Sequence, residues 1–508
     1  MESLSEETWD VVICGTGLQQ SLLALALSRS DKKILHIDPN DYYGGPEAAF
    51  SLQEAEEWAS KFASPDQGSS IFRSAAISRP SEPPAGGLSF PRAYSLSLSP
   101  QLIHSNSALL SQLVSSRAFR QLEFLAVGSF FILKPGSPDK PPALVRIPST
   151  REDVFSSTEL PARAKRSLMK FLKLVLAQQE DGDLQVQQQQ QWQDYADRTL
   201  ADFLREKMGL DAEVQAYITT LTLSLDGNIS TKDGIAAISR HLRSMGMFGP
   251  GFAAVYPKFG GGSEIAQVAC RAGAVGGAIY MLGTGIKELR PAAEGAEEIE
   301  LELTNGVSVK TRMLVRGAEE ESEPDAGQRV SRLIAVVGSP LPSLFESTME
   351  GAPTPGAAVI ALPPGSVEGE GGVPSKYPIH VIAHSSDAGE CPTGQSVLYL
   401  STLYTPEAKS LLDAGLSAFL ASLGTDQTPP CLYQLYYEQA AGRSEPRIDG
   451  SIFQMPRPSV NLAFDDSTLE PVRKAWQMAF GAAAEEADAE YMVFTDREGV
   501  GDDDDVYE

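Results

Sequence analysis

The chain has 508 residues, 42% of them hydrophobic, and a net charge of −26 at neutral pH. That length implies two or three domains with real cores, and that charge repels nucleic acid and anionic membrane unless a local basic patch intervenes. Four scattered cysteines without a CxxC pair, and five histidines without ligand spacing, argue against a disulfide framework and against a metal centre. The N-terminus MESLSEETWD lacks the apolar core of a secretory leader, and the apolar stretch Leu22 to Leu27 is too short to span a bilayer. The ending GDDDDVYE carries no lipidation box, so a soluble, cytoplasmic protein is expected.

In chain order, an apolar strand, Val11 to Cys14, leads into Gly15-Thr16-Gly17-Leu18-Gln19-Gln20. A helix-like segment runs from Leu18 to Ser28, and a second strand, Lys33 to Ile37, ends on Asp38. This is a βαβ unit of dinucleotide-binding type with an acid where a ribose hydroxyl would sit. In such a unit the third glycine allows close packing of helix and strand. Gln20 stands in its place. Flavoproteins with this opening usually carry Gly-Gly-Arg after the acid, whereas this chain has Tyr43-Gly44-Gly45-Pro46 and no convincing Gly-Asp segment near its end. Gly15, Gly17 and Asp38 therefore read as a vestigial site, and no cofactor is expected. A flavin oxidoreductase is the distant alternative.

Residues 60–90, rich in Ser, Pro and Gly, read as an exposed loop, and 91–147 mix helix and strand. Consecutive helices are expected over 152–245. The first has a cap at Ser157 or Thr158 and Pro161 in its opening turn. Leu168, Phe171, Leu172 and Val175 form its apolar face, with Arg163, Arg166, Lys170 and Lys173 opposite. The run Gln187 to Gln191 reads as an insertion. Further helices are marked by Leu200, Phe203 and Leu204, by Val214, Ile218, Leu221 and Leu225, and by Ile235, Ile238, Leu242 and Met245.

Glycine returns at Phe259-Gly260-Gly261-Gly262 before a helix-like Ser263 to Ala274. Strands are expected near 278–282, 298–303, 307–315, 330–337, 357–362, 378–383 and 396–402, and helices over 406–422 and 466–485. An acidic loop covers 317–326, and the tail 496–508 reads as disordered. The pattern predicts an α/β fold in which a large domain, 1–150 and 246–495, is interrupted by a helical domain at 151–245.

Asp38-Pro39-Asn40-Asp41-Tyr42-Tyr43-Gly44-Gly45 resembles the D-x-N-x-Y-Y-G-G block of the Rab GDP-dissociation inhibitor and Rab escort protein superfamily. Cys14 to Leu18 resembles its GTGL opening, including the lost third glycine. Val255-Tyr256-Pro257-Lys258-Phe259-Gly260-Gly261-Gly262-Ser263-Glu264-Ile265-Ala266-Gln267 is similar to its YPLYGxGELPQ segment with one residue inserted, and Arg271 and Gly277 to Leu282 continue the match. Segments 151–155, 166–172 and 395–402 are closer to the escort branch than to the inhibitor branch. The family's R-D-x-N-x-D segment is represented only by Arg92-Ala93-Tyr94-Ser95-Leu96-Ser97.

The resemblance implies a flavoprotein-like large domain with mixed sheets and no redox chemistry. It implies a platform for GDP-bound Rab built from Tyr43, Glu264, Gln267, Arg271, Tyr280 and Met281. Helical-domain residues Leu168, Leu172, Val175, Val214, Ile218 and Leu221 become candidates for holding a geranylgeranyl chain. Phe171, Arg166 and Lys170 become candidates for contacting the Rab geranylgeranyltransferase heterodimer. The implied activity is that of a non-catalytic escort. It presents Rab for prenylation and then delivers the product to membrane through transient contact. The alternative is an inhibitor that extracts and recycles prenylated Rab.

Overall fold

The computed structural model describes residues 4–65, 70–82, 87–136, 141–148, 154, 161–176, 192–290, 298–317, 328–347, 349–424, 427–442 and 445–495. The expected caps at Ser157 or Thr158, the run Gln187 to Gln191, nearly all of the acidic loop and the tail 496–508 lie outside these residues.

The opening unit forms as its pattern dictates. The strand Thr8–Cys14 is buried from Val11 onward, and the helix Leu18–Leu27 is buried along its whole length. An apolar run shielded on both faces is what a central parallel strand requires. The first sheet has the order Ile279–Met281, Ile34–Ile37, Thr8–Cys14, Ser308–Arg316, Ile299–Leu303, Ile286–Arg290, with Ile452–Gln454 also beside Ser308–Arg316. Its centre is parallel, and the last two strands form an antiparallel edge. The chain leaves this sheet after Ile37 and rejoins it at Ile279.

Between those points lie much of the second sheet and all of the helical layer. The second sheet has ten strands and is antiparallel except where Ala357–Leu362 runs beside Phe124–Lys134. One edge is Phe72–Ser78, which pairs with Cys431–Ala440. This corrects the reading of residues 60–90 as a loop. The segment FRSAAIS is a short strand whose partner is far away in sequence, and the flanking Ser, Pro and Gly masked it. The expectation for the later strands matches Ile299–Leu303, Ser308–Arg316, Arg329–Val337, Ala357–Leu362, Ile379–Ser385 and Ser396–Leu403.

Helices Ala162–Leu176, Leu200–Glu206, Ala212–Leu221 and Thr231–Ser244 pack on one another. Three begin on side-chain caps. Thr199 accepts from the Asp202 N–H, Asp211 from that of Val214, and Ser230 from that of Asp233. Their apolar faces and one face of the second sheet belong to a single cluster, which includes Phe171, Phe203, Ile218 and Ile235 from the helices and Trp58, Phe130, Ile132 and Tyr437 from the rest.

Phe171 is therefore corrected. It was expected as an exposed anchor, but it is 0% exposed and sits among these core residues. Its spacing with Leu168 and Val175 puts it on the buried stripe, while Arg163, Arg166, Lys170 and Lys173 remain exposed.

A buried polar cluster ties the second sheet to the loop before Gly262. The Glu390 carboxylate, 0% exposed, accepts hydrogen bonds from the hydroxyls of Tyr256 and Tyr399, each at 2.8 Å. His384 Nδ1 lies 2.7 Å from the same group. Glu390→Leu leaves two hydroxyls and an imidazole without their partner. The expected cost is roughly 3–5 kcal/mol, read as a lower midpoint in urea with an unchanged slope. Phe171→Ala is expected to cost about 3–5 kcal/mol through the cavity it leaves, measured the same way.

Candidate partner-binding site

The site begins at the turn between the first strand and helix. Asp38 Oδ2 accepts hydrogen bonds from the Thr16 N–H and the Thr16 hydroxyl, both at 2.6 Å. Asp38 Oδ1 accepts from the Asn40 N–H at 2.7 Å and from Asn40 Nδ2 at 3.0 Å. Both oxygens that a ribose would use are thus taken by the chain itself. Burial raises the Asp38 pKa, and the bonds from Thr16 and Asn40 oppose that rise.

The Gly44 N–H donates to the Thr16 hydroxyl at 3.1 Å, which draws the Tyr42–Gly45 turn onto the glycine loop. Gly44 has φ 95, and a Cβ there would lie 3.0 Å from Ala48 Cα and 3.2 Å from Ser263 Oγ, so only glycine fits. The turn then delivers Glu47 to the amino end of the Leu18–Leu27 helix, where its carboxylate accepts from the Leu18 N–H at 3.1 Å. Free N–H groups and the helix dipole make that end an anion site, where nucleotide phosphate binds in related folds. Glu47 supplies an acceptor oxygen there from within the chain. Burial pushes its pKa up from 4.5 to about 7, against the bond from Leu18.

Gln20 completes the closure. A Cβ built on Gly15 would lie 3.2 Å from Gln20 Nε2, and one on Gly17 would lie 3.0 Å from Gln20 Oε1. The side chain that replaces the third glycine lies over the other two. These residues do not fit a dinucleotide.

The second part of the site is the helix Gly262–Val275. It starts after Phe259, Gly260 and Gly261, all at positive φ. The Phe259 N–H donates to Ala388 O at 2.9 Å, Ser95 Oγ donates to Phe259 O at 2.8 Å, and the Ser95 N–H donates to Glu390 O at 3.1 Å. The loop is thereby pinned to the second sheet. Ile265, Ala266, Val268, Ala269 and Cys270 face inward, while Glu264 and Gln267 are half-buried and Arg271 is exposed. Positions i, i+3 and i+7 share one face, as their spacing requires. Burial raises the Glu264 pKa, and the nearby Arg271 charge opposes the rise.

The two blocks meet. Gly44 packs against Ser263, and a Cβ on Gly262 would lie 3.4 Å from Glu47 Cβ. Tyr43 is half-buried there. Met281, also half-buried, ends the edge strand of the first sheet, where its carbonyl accepts from the Asp38 N–H at 2.9 Å. Tyr280 departs from the expectation of a presented tyrosine. Its ring lies on His36 with centroids 4.7 Å apart, and its hydroxyl is buried under Gly273 beside Cys270, whose thiol burial pushes up to about 11. It supports the edge strand from behind.

In the helical layer, Leu168, Val175, Val214 and Ile218 are buried, and Leu172 and Leu221 are half-buried. Sequence reasoning overlooked Thr16, Glu47 and Glu390. The acid directly after Gly-Gly-Pro was the available signal for Glu47. Glu390 lies in the loop between the strands that carry His384 and Tyr399, and its third partner, Tyr256, comes from far away in sequence. Among the described residues, no group of three or more His, Cys, Asp or Glu can hold a metal, and no helix is long and apolar enough to cross a membrane.

A family model described as GDP dissociation inhibitor matches residues 5–350, and its span includes both blocks. The chain belongs to the GDP dissociation inhibitor family. It is 31% identical to the Rab proteins geranylgeranyltransferase component A of Saccharomyces cerevisiae over 82% of this chain and 65% of that one. It is 25% identical to Rab escort protein 1 of Arabidopsis thaliana, with 94% of each chain covered. Against the yeast relative, this family member spans just under two thirds of the length. Its fold is shared with a Rab GDI from Plasmodium falciparum, at a TM-score of 0.64 and 18% identity over 94% and 98% of the two chains. An oxidoreductase from Methanosarcina mazei has the same fold at a TM-score of 0.56 and 12% identity, over 91% and 99%. The fold class is thus the flavoprotein-like α/β arrangement.

Burial of neutral Glu47 fixes a sign. The folded chain holds this proton up to about pH 7, and the unfolded chain releases it near 4.5. Glu47 therefore lowers stability as pH rises from 4.5 to 7. Glu47→Gln keeps an acceptor for Leu18 and removes the titration. Its melting temperature is expected to match wild type near pH 4.5 and to exceed it at pH 8, by on the order of 3 kcal/mol of stability.

Proposed function

We propose that the chain is a Rab escort protein. It binds newly made, GDP-bound Rab GTPases, presents them to the Rab geranylgeranyltransferase heterodimer, and delivers the prenylated product to membrane. It acts as an accessory subunit in the cytoplasm and breaks no bond itself. The observation that carries the reading is the meeting of the Tyr43–Gly44 turn with the Gly262–Val275 helix over a nucleotide site closed by Gln20, Asp38 and Glu47. The chemistry of a flavoprotein is gone from that end, and a surface remains. The relatives named component A of the transferase and Rab escort protein 1 support the same reading.

Tyr43, Glu264, Gln267, Arg271 and Met281 form the Rab-binding surface, with Tyr280 as their support. Arginine and tyrosine are favoured anchors, because they combine apolar area with directed hydrogen bonds. The helical unit at 151–245 is the lipid- and transferase-binding part. Leu168, Leu172, Val175, Val214, Ile218 and Leu221 line the space between its helices, and a geranylgeranyl chain enters when those helices part. Each buried CH₂ then contributes about 0.8 kcal/mol. The transferase contact falls on the exposed stripe of Arg163, Arg166, Lys170 and Lys173, with Leu176, which is 49% exposed, at its end. Phe171 holds that helix in place from within.

The decisive experiment is prenylation of unmodified Rab by transferase with and without the chain. Stimulation is expected. A chain that fails to stimulate, yet extracts prenylated Rab from membranes, is an inhibitor instead. Arg271→Ala and Tyr43→Ala are each expected to weaken GDP-Rab binding by roughly 2 kcal/mol, about 30-fold, without lowering the melting temperature. Isothermal titration measures the first, and unchanged affinity in both variants displaces the platform. The purified chain is expected to show no flavin absorbance near about 450 nm.

A further inference from the structure

The five histidines are all buried, and two of them meet where the helical layer lies on the second sheet. His104 ends the strand Ile103–His104, which pairs with Ala254–Pro257, and His241 stands in the last turn of the helix Thr231–Ser244. Their rings cross edge to face with centroids 5.8 Å apart, and Phe130 of the second sheet meets His241 in the same way at 5.2 Å. His104 is 4% exposed and His241 is 2% exposed. Among the described residues, none of their four ring nitrogens has a hydrogen-bond partner. The backbone is tied at the same place. The Asn106 N–H donates to Ser244 Oγ at 3.1 Å, and that hydroxyl donates to Arg240 O at 2.8 Å.

Such a contact suits neutral imidazoles. An imidazolium would bury two N–H donors and a charge with nothing to receive them. Burial pushes His241 down to about 4 and holds His104 well below its ordinary value. The surrounding charges do not relieve this. Arg240 and Arg243 flank His241 on its helix, and Arg240 together with the second imidazole opposes a proton on His104. In the strand Phe124–Lys134, which brings Phe130 to the pair, Lys134 is engaged with Glu213 at 2.7 Å. In Ala254–Pro257 the one titratable side chain, Tyr256, donates to Glu390. The Asp466 carboxylate accepts from the Ser107 hydroxyl at 2.6 Å and from the Ala108 N–H at 3.1 Å, and it offsets neither penalty.

We propose that His104 and His241 form an acid-opened latch between the helical layer and the second sheet. A proton on either ring is hydrated only when the end of Thr231–Ser244 lifts from Ile103–His104, so acid shifts the chain toward that opened form. Well above pH 6.5 both rings are neutral in either form, and the contact holds. As pH falls from 6.5 toward about 4, the opened form takes up protons that the closed form refuses, and closure weakens. Two sites open together here, which makes the response steeper than that of a single buried histidine. His36 and His380 are also pushed down to about 4, but each is one site, and the His36 ring N–H keeps Gly15 O as its acceptor at 2.7 Å.

The test is hydrogen exchange of the full chain by mass spectrometry at two pH values, with each rate corrected for the intrinsic pH dependence of amide exchange. Opening at 103–106 and 238–245 is expected to rise about 100-fold from about pH 7.5 to about pH 5.5, ahead of 34–37 and 379–385. His104→Leu and His241→Leu are each expected to cut that rise to about tenfold, and the double variant to abolish it. No rise at these segments in the wild-type chain, or a rise equal across all segments, overturns the latch whether or not the variants fold. A double variant as acid-sensitive there as the wild-type chain overturns it too. The measurement uses no Rab, transferase or lipid, so its outcome is independent of the prenylation assay.

Discussion

The amino end of the Leu18–Leu27 helix concentrates N–H groups that have no partner within the helix, and Glu47 meets them from within the same chain. That contact sets what surrounds it. To place Glu47 there, the chain must turn sharply at Gly44, and the turn is held by Thr16, itself held by Asp38. Tyr43 is carried outward by the same turn. The place where a diphosphate would sit in a dinucleotide-binding unit is taken by a carboxyl group of the same chain, and the Tyr42–Gly45 turn packs against the Gly262–Val275 helix.

The second constraint acts from the opposite side. Glu390 gathers Tyr256, Tyr399 and His384 within the second sheet, and its backbone carbonyl accepts from Ser95, which also holds the loop at Phe259. The Gly262–Val275 helix starts from that loop. Its outward face is therefore positioned by two buried carboxyl groups from different loops, Glu47 against Gly262 and Glu390 behind Phe259. Loss of either acts on Glu264, Gln267 and Arg271 without touching them.

Much of this was legible in the residues because local physics decided it. The βαβ opening follows from an apolar run, a glycine turn and a second apolar run ending on Asp38. The basic stripe of Ala162–Leu176 follows from helical spacing alone. What stayed hidden depended on partners far away in sequence. Phe72–Ser78 became a strand only because Cys431–Ala440 lies beside it. Tyr280 looked like surface aromatic area, yet His36 and Gly273 bury its polar end. For Phe171 the periodicity already pointed inward, and the expectation of an exposed anchor came from resemblance rather than from spacing. Glu390 had no signature because its burial depends on Tyr256, 134 residues away, closing over the loop that also brings His384 and Tyr399 to it.

The apolar cluster that joins the helical layer to the second sheet runs from Trp58 and Tyr437 through Phe130 to Phe171 and Val175. The helices therefore lack a private core that would let them melt or open on their own. A fluctuation that separates Ala162–Leu176 from Thr231–Ser244 also uncovers side chains of the sheet, and its cost is shared across both layers. Hydrogen exchange at the buried amides of these helices should then report on the sheet as well, so that a substitution loosening one layer speeds exchange in the other.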